Sequence, residues 1–196
     1  RDTPYEAEAL RLKGSCDLFS IESEIDSIDS SGSWEMNCAF KPLFLLKKIE
    51  EKKRPLLWVD ADAIFLEKMP MLEVFSSPFA VRLYNCPDTH PSRVVSSVVY
   101  VTAERESIEI LKQWALKCIT LLKEESRSEV WDQDALRSVL FSQEFKGIWE
   151  VFPENFSVIE DHPDDALVKE PILKQTQASR RYKQWINHRE KRFFTL

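Results

Sequence analysis

The chain has 196 residues, 43% of them hydrophobic and 31% charged, with a net charge of −6. That suits one soluble domain with a real core, and runs such as LFLL and LLWV fall far short of the roughly 20 apolar residues that cross a bilayer. The opening RDTPYEAEAL has neither an initiator Met nor the basic-then-apolar pattern of a signal peptide, as a trimmed or processed start would read, and an acidic body argues against general nucleic-acid binding.

In chain order, residues 4–17 read as a helix with Pro4 near its start, and SIESEIDSID alternates as a strand does. SGSWEMNCAFKPLFLLKKIEEKK offers Ser33 as an N-cap and places Met36, Phe40, Leu43, Leu46 and Ile49 at helical spacing. Pro42 inside it predicts a kink, or a helix that starts there. PLLWVD reads as a buried strand, MLEVFSS as a short helix, and FAVRLYN and SRVVSSVVYVT as two more strands. Glu104 to Lys123 is the clearest helix, with Ile108, Leu111, Ala115, Cys118, Ile119 and Leu122 on one face. WDQDALRSVLF continues as a helix, GIWEVF as a strand and EPILKQ as another after a loop. Strands separated by helices predict a layered α/β domain, Rossmann-like, with a mixed, mainly parallel sheet flanked by helices. In such sheets ligands gather at the carboxyl ends of strands.

Asp60 and Asp62 fall at such an end, in LLWVDADAIF. Strand alternation would point both carboxylates to one face, where like charges repel unless a cation compensates, and hard oxygens suit Mg²⁺ or Mn²⁺. The plainer alternative has Asp60 capping a turn and Asp62 solvated. The three glycines, Gly14, Gly32 and Gly147, leave no room for a Gly-rich phosphate loop. A bound diphosphate would then rely on a carboxylate-held metal. WDQDAL adds Asp132 and Asp134, which diverge by about 200° on a helix and cannot act there as a pair; either Asp132 caps the helix, or one of the two reaches a substrate from its start. His90 and His162 lie in Pro-containing loops as candidate ligands, His162 the better placed. Trp34, beside the Gly32 turn, is a candidate for stacking a base or a sugar.

SWEMNCAFKPLFLLKKIEEKKRPLLWVDADAIF, the strand VVSSVVYVT and the helix after it, DQDAL, FPENFSVI and QASRRYK resemble, in order and spacing, the blocks of glycosyltransferases of the GT-A fold, the nucleotide-diphospho-sugar transferases. The resemblance spans about Ser33 to Lys183. It implies a nucleotide-sugar donor whose diphosphate is bridged by Mn²⁺ or Mg²⁺ at the Asp-x-Asp, Asp62 ligating directly and Asp60 nearer the donor ribose or sugar. It places Lys41 near the donor and Asp132 and Asp134 near the transferred sugar or acceptor, where one would serve as base in an inverting reaction. Arg180 and Arg181 would approach the diphosphate. Many members carry a metal-binding His on the last strand; here EPILKQTQASRR offers Gln175 and Gln177, with Gln175 taken as the metal ligand. The family's first strand normally ends just before a segment like RDTPYEAEAL. The acceptor, a sugar, lipid or protein, is left open.

The domain expected is residues 1–178, followed by a basic aromatic segment, 179–196. That segment carries six Lys/Arg against one Glu, leaving the other 178 residues at −11. Docking on its own acidic body is the favoured reading, contact with an anionic membrane surface the other. Cys16, Cys38, Cys86 and Cys118, spaced 22, 48 and 32 apart, match no zinc or redox motif and predict free thiols in a reducing, cytoplasmic setting. Two other functions stay open on the sequence. One is a descendant of weakened activity that keeps the fold as a binding module. The other is a phosphotransferase of the haloacid dehalogenase type, with Asp60 as nucleophile and Asp164-Asp165 as its second acidic block.

Overall fold

A computed structural model describes residues 5–29, 33–69, 75–123, 131–178 and 182. In chain order its elements are α1 (Tyr5–Leu18), α2 (Trp34–Ala39), α3 (Lys41–Lys52), β1 (Leu56–Val59), β2 (Ala63–Phe65), β3 (Phe79–Leu83), β4 (Val94–Val101), α4 (Arg105–Leu122), α5 (Trp131–Leu140), β5 (Trp149–Val151), β6 (Ser157–Ile159) and β7 (Leu173–Gln175). They fall into two units, one of residues 35–59 and 71–153, the other of residues 1–34, 60–70 and 154–196. The chain alternates between the units, so no shift of composition marks a boundary.

The first unit is built on a sheet in the order β1-β4-β3-β5. β4 is central and nearly all buried, as its valines require, and it runs antiparallel to both β1 and β3, while β5 is parallel to β3. The expected predominance of parallel pairing is therefore corrected: among the described residues the sheets are mixed, with three antiparallel pairings and two parallel ones. Only a loop joins β3 to β4, and strands without a crossover helix pair antiparallel.

Helices α3, α4 and α5 contribute Leu45, Ile49, Leu111, Trp114, Leu136 and Leu140 to the core that covers this sheet. Each such side chain contributes roughly 1.5–3 kcal/mol by leaving water. The buried face of α4 centres on Leu111, Trp114, Cys118 and Leu121, and Ile119 lies outside it. Pro42 sits in the first turn of α3, where its missing N–H costs no bond, so the long apolar pattern breaks at Phe40 into two helices. Lys53 ends α3 in the left-handed region, φ 52°, and donates its N–H to the Ile49 carbonyl at 3.0 Å.

In the second unit the sheet order is β2-β7-β6. α1 is joined to it through Ser15, whose Oγ donates to the Leu12 carbonyl at 2.8 Å and accepts the Phe65 N–H at 3.1 Å. The strand expected in SIESEIDSID does not form: residues 21–29 carry no strand and Ile25 and Ile28 are exposed. Alternation makes a strand only where a neighbour takes its hydrogen bonds. β2 and β6, three residues each, had no pattern of their own and exist through pairing with β7. Tyr182 is packed edge-on to Tyr5 and donates to Glu8 at 3.2 Å. Most of MLEVFSS and all but Tyr182 of the segment from Ser179 on, with Arg180 and Arg181, lie outside the described residues.

Candidate functional site

In the first unit the polar residues converge on Asp132. Lys41, the first residue of α3, is 6% exposed and donates from Nζ to Asp132 Oδ2 at 3.0 Å and to the Ser96 carbonyl at 2.9 Å. Ser96 Oγ donates to the same carboxylate oxygen at 2.6 Å. Trp114 Nε1 donates to the Asp132 backbone carbonyl at 2.8 Å, so α4 also fixes the first turn of α5. The Lys41 ammonium lies 5.7 Å from the centre of the Trp58 ring. Asp132 is 5% exposed, and the two donors to its carboxylate among the described residues both bond Oδ2.

The place of this cluster follows from strand register. β1 and β4 are paired up to Val59 and Val98, so Ser96 lies two residues beyond the carboxyl end of β1. On the other side the pairing jumps from Val81–Val99 to Arg82–Val95, a bulge that leaves Ser96 without a partner residue on β3. Bulges re-aim side chains and recur beside active sites. The cluster thus sits at the end of β1 where an α/β sheet binds ligands.

Asp134 points elsewhere, as helix geometry requires. Its Oδ1 accepts Arg137 Nε at 3.0 Å and Nη2 at 2.7 Å, and Arg137 Nη1 donates to the Asp88 carbonyl at 3.2 Å. Asp88 in turn accepts Arg93 Nε at 3.0 Å. Asp134 therefore belongs to a network that pins the β3–β4 loop to α5. Cys118 is buried near Asp132 and Lys41; burial first, then the Asp132 charge, pushes its thiol up to about 12, with Lys41 opposing. It stays a neutral thiol and packs as core. None of the four cysteines is in a disulfide.

Asp60 and Asp62 belong to the second unit, and strand alternation does not set their geometry. β1 stops at Val59, and the Ala63 N–H donates to the Asp60 carbonyl at 3.1 Å, closing a turn that holds both aspartates. Asp62 is 7% exposed; its Oδ2 accepts the Ala178 N–H at 2.7 Å, and its carbonyl accepts the N–H of Thr176 at 3.0 Å and its hydroxyl at 3.1 Å. Gln175 pairs with Ala63, so its side chain lies on the face of Ala63 and Phe65, one residue out of step with Asp62, and is buried with Nε2 unpartnered among the described residues. The described residues hold no group of three His, Cys, Asp or Glu placed to bind a metal. Carboxylate oxygens are the donor type that Mg²⁺ and Mn²⁺ take, alongside phosphate oxygens and water.

The other candidates shape loops. His162 Nδ1 accepts the Asp164 N–H at 3.3 Å, His90 Nδ1 the Ser92 N–H at 3.2 Å, and Asp165 Oδ2 the Ile159 N–H at 2.6 Å. Trp34 is the first residue of α2. Ser96 and Trp114 were missed on the sequence. For Ser96 a signal exists: two serines interrupt the otherwise apolar strand VVSSVVYV.

No protein-family model matches the chain, and neither does any curated protein sequence. Among solved structures it is similar to a glycosyltransferase involved in the glycosylation of the major capsid of PBCV-1, with a TM-score of 0.64 at 13% sequence identity, over 97% of this chain and 94% of that one. The fold is the GT-A-like glycosyltransferase fold that the order of the sequence blocks implied. No helix among the described residues is long and apolar enough to cross a membrane.

Proposed function

We propose that the protein is a glycosyltransferase that moves a sugar from a nucleotide-diphosphate donor to a hydroxyl of a sugar, lipid or protein acceptor. The observation that carries this reading is the buried Lys41–Asp132–Ser96 cluster beyond the end of β1 in a chain with a glycosyltransferase fold. Replacing a buried ion pair by packed apolar groups is often neutral or stabilising, so such a cluster is better explained by use than by stability.

Asp132 is assigned to the sugar. Its Oδ1 accepts a sugar hydroxyl, while Lys41 neutralises the carboxylate and keeps the site from carrying an unpaired charge. Lys41 thus acts through Asp132 rather than on the donor phosphates. Asp134, held by Arg137, is assigned to the loop rather than to proton transfer. Asp60 and Asp62 would hold Mn²⁺ or Mg²⁺, which supplies positive charge for the leaving diphosphate. Arg180 and Arg181, whose forked guanidinium groups match phosphate oxygens, are proposed to bind the diphosphate.

The test is a thermal-shift screen of nucleotide-sugars with and without Mn²⁺. A donor at a hundredfold its Kd stabilises by about 2.7 kcal/mol, which raises Tm by roughly 5–10 °C in a chain of this size. Stabilisation by one donor that requires Mn²⁺, with release of the nucleoside diphosphate on incubation, is the expected result. A screen in which no nucleotide-sugar shifts Tm under either condition overturns the proposal.

A further inference from the structure

We propose that Ser96 is a positioning residue: its hydroxyl and carbonyl fix Lys41 and Asp132 so that Asp132 presents one oxygen to the transferred sugar. This rests on the glycosyltransferase reading and assigns the site a member from β4.

Three observations converge on Ser96. Its hydroxyl donates to Asp132 Oδ2 at 2.6 Å, and the Lys41 ammonium lies 3.4 Å from the same Oγ, so one hydroxyl bridges both charged groups. Its carbonyl accepts Lys41 Nζ at 2.9 Å, which gives the ammonium a neutral partner beside its charged one. The bulge between Val81 and Arg82 sets this residue out of register with β3.

A serine in the middle of a buried valine strand costs free energy unless its hydroxyl is bonded, and this one is spent on a single carboxylate oxygen. A carboxylate held only by Lys41 could rotate about its Cβ–Cγ bond and exchange oxygens. With Ser96 and Lys41 both on Oδ2, that rotation breaks two hydrogen bonds, and Oδ1 is the oxygen left over among the described residues. Supporting shells of this kind hold a binding group to the tolerance that recognition requires.

The experiment compares two ligand classes on the full chain. Calorimetric affinities are measured with Mn²⁺ for a panel of UDP-, GDP- and ADP-sugars and for UDP, GDP and ADP alone. For wild type, the nucleotide-sugar binds more tightly than its bare nucleoside diphosphate. In Ser96→Ala the nucleotide-sugar weakens by about ten-fold while the bare nucleotide changes by less than about two-fold, and Ser96→Thr, which restores the hydroxyl, recovers most of the loss. Equal weakening of both ligands in Ser96→Ala overturns the proposal, because a merely structural serine would loosen both. Unchanged affinity for both overturns it as well. If Ser96→Ala does not fold, Ser96→Cys keeps a weak donor in the same place and is read by the same comparison. Wild type binding no nucleotide-sugar and no nucleotide overturns the glycosyltransferase reading itself, a result distinct from a Ser96-insensitive site.

Discussion

Removing the Lys41 charge should cost far more than removing the whole pair. The two groups lie 3.0 Å apart, where Coulomb's law with an effective dielectric of about 20 gives an attraction of roughly 5–6 kcal/mol. Desolvation of both groups opposes this, so the pair's net contribution is small while either charge left alone is expensive. Lys41→Met leaves a carboxylate in a site 5% exposed with Ser96 as its one remaining donor among the described residues, and should lower unfolding stability by about 3–5 kcal/mol. Asp132→Leu alone, which removes the charge that faces the ammonium, should cost a similar amount. The double variant Lys41→Met/Asp132→Leu should be less destabilised than either single one, with a coupling of about 3 kcal/mol or more. Urea unfolding of the four proteins, read as midpoint and slope, measures the cycle. Single variants within about 1 kcal/mol of wild type, or a double variant whose loss equals the sum of the singles, would refute the reasoning that the cluster is a closed buried ion pair.

Asp62 separates structure from metal. Asp62→Asn retains an oxygen to accept the Ala178 N–H and should keep stability within about 0.5 kcal/mol, while weakening any Mn²⁺-dependent nucleotide binding. Asp62→Ala should lose a further 1–3 kcal/mol, roughly, by leaving that N–H without its acceptor; equal stability of the two variants would sink this account. Cys118 adds a pH dependence. Its thiol is raised from 9.0 to about 12 in the folded protein, so the unfolded chain loses this proton first and stability falls as pH rises through that window. The contribution is present below pH 9 and declines above it by on the order of 1.4 kcal/mol per pH unit. Cys118→Ala should show a shallower alkaline limb in stability measured from pH 8 to 10.5, and identical slopes would count against it.

Much of the layout was legible in the sequence because it is local. Periodicity and Pro42 sufficed for α3, the run of valines for β4, and the order of blocks around Asp60-x-Asp62 and Asp132-x-Asp134 for the fold. The divergence of Asp132 from Asp134 followed from helix geometry alone. What remained hidden is non-local. β2 and β6 are three residues long and have no stability apart from the partner that hydrogen-bonds them, and the same rule left Ile25 and Ile28 outside any strand. Whether Asp60 and Asp62 share a strand face or a turn depended on where β1 stopped, and that is decided by the end of its pairing with β4. Lys41 reads from sequence as a cation for a donor; only tertiary packing, across 91 positions of chain, makes it the counter-charge of Asp132. Ser96 required still more, since a bulge in register, which no single strand encodes, turns a serine among valines toward that pair.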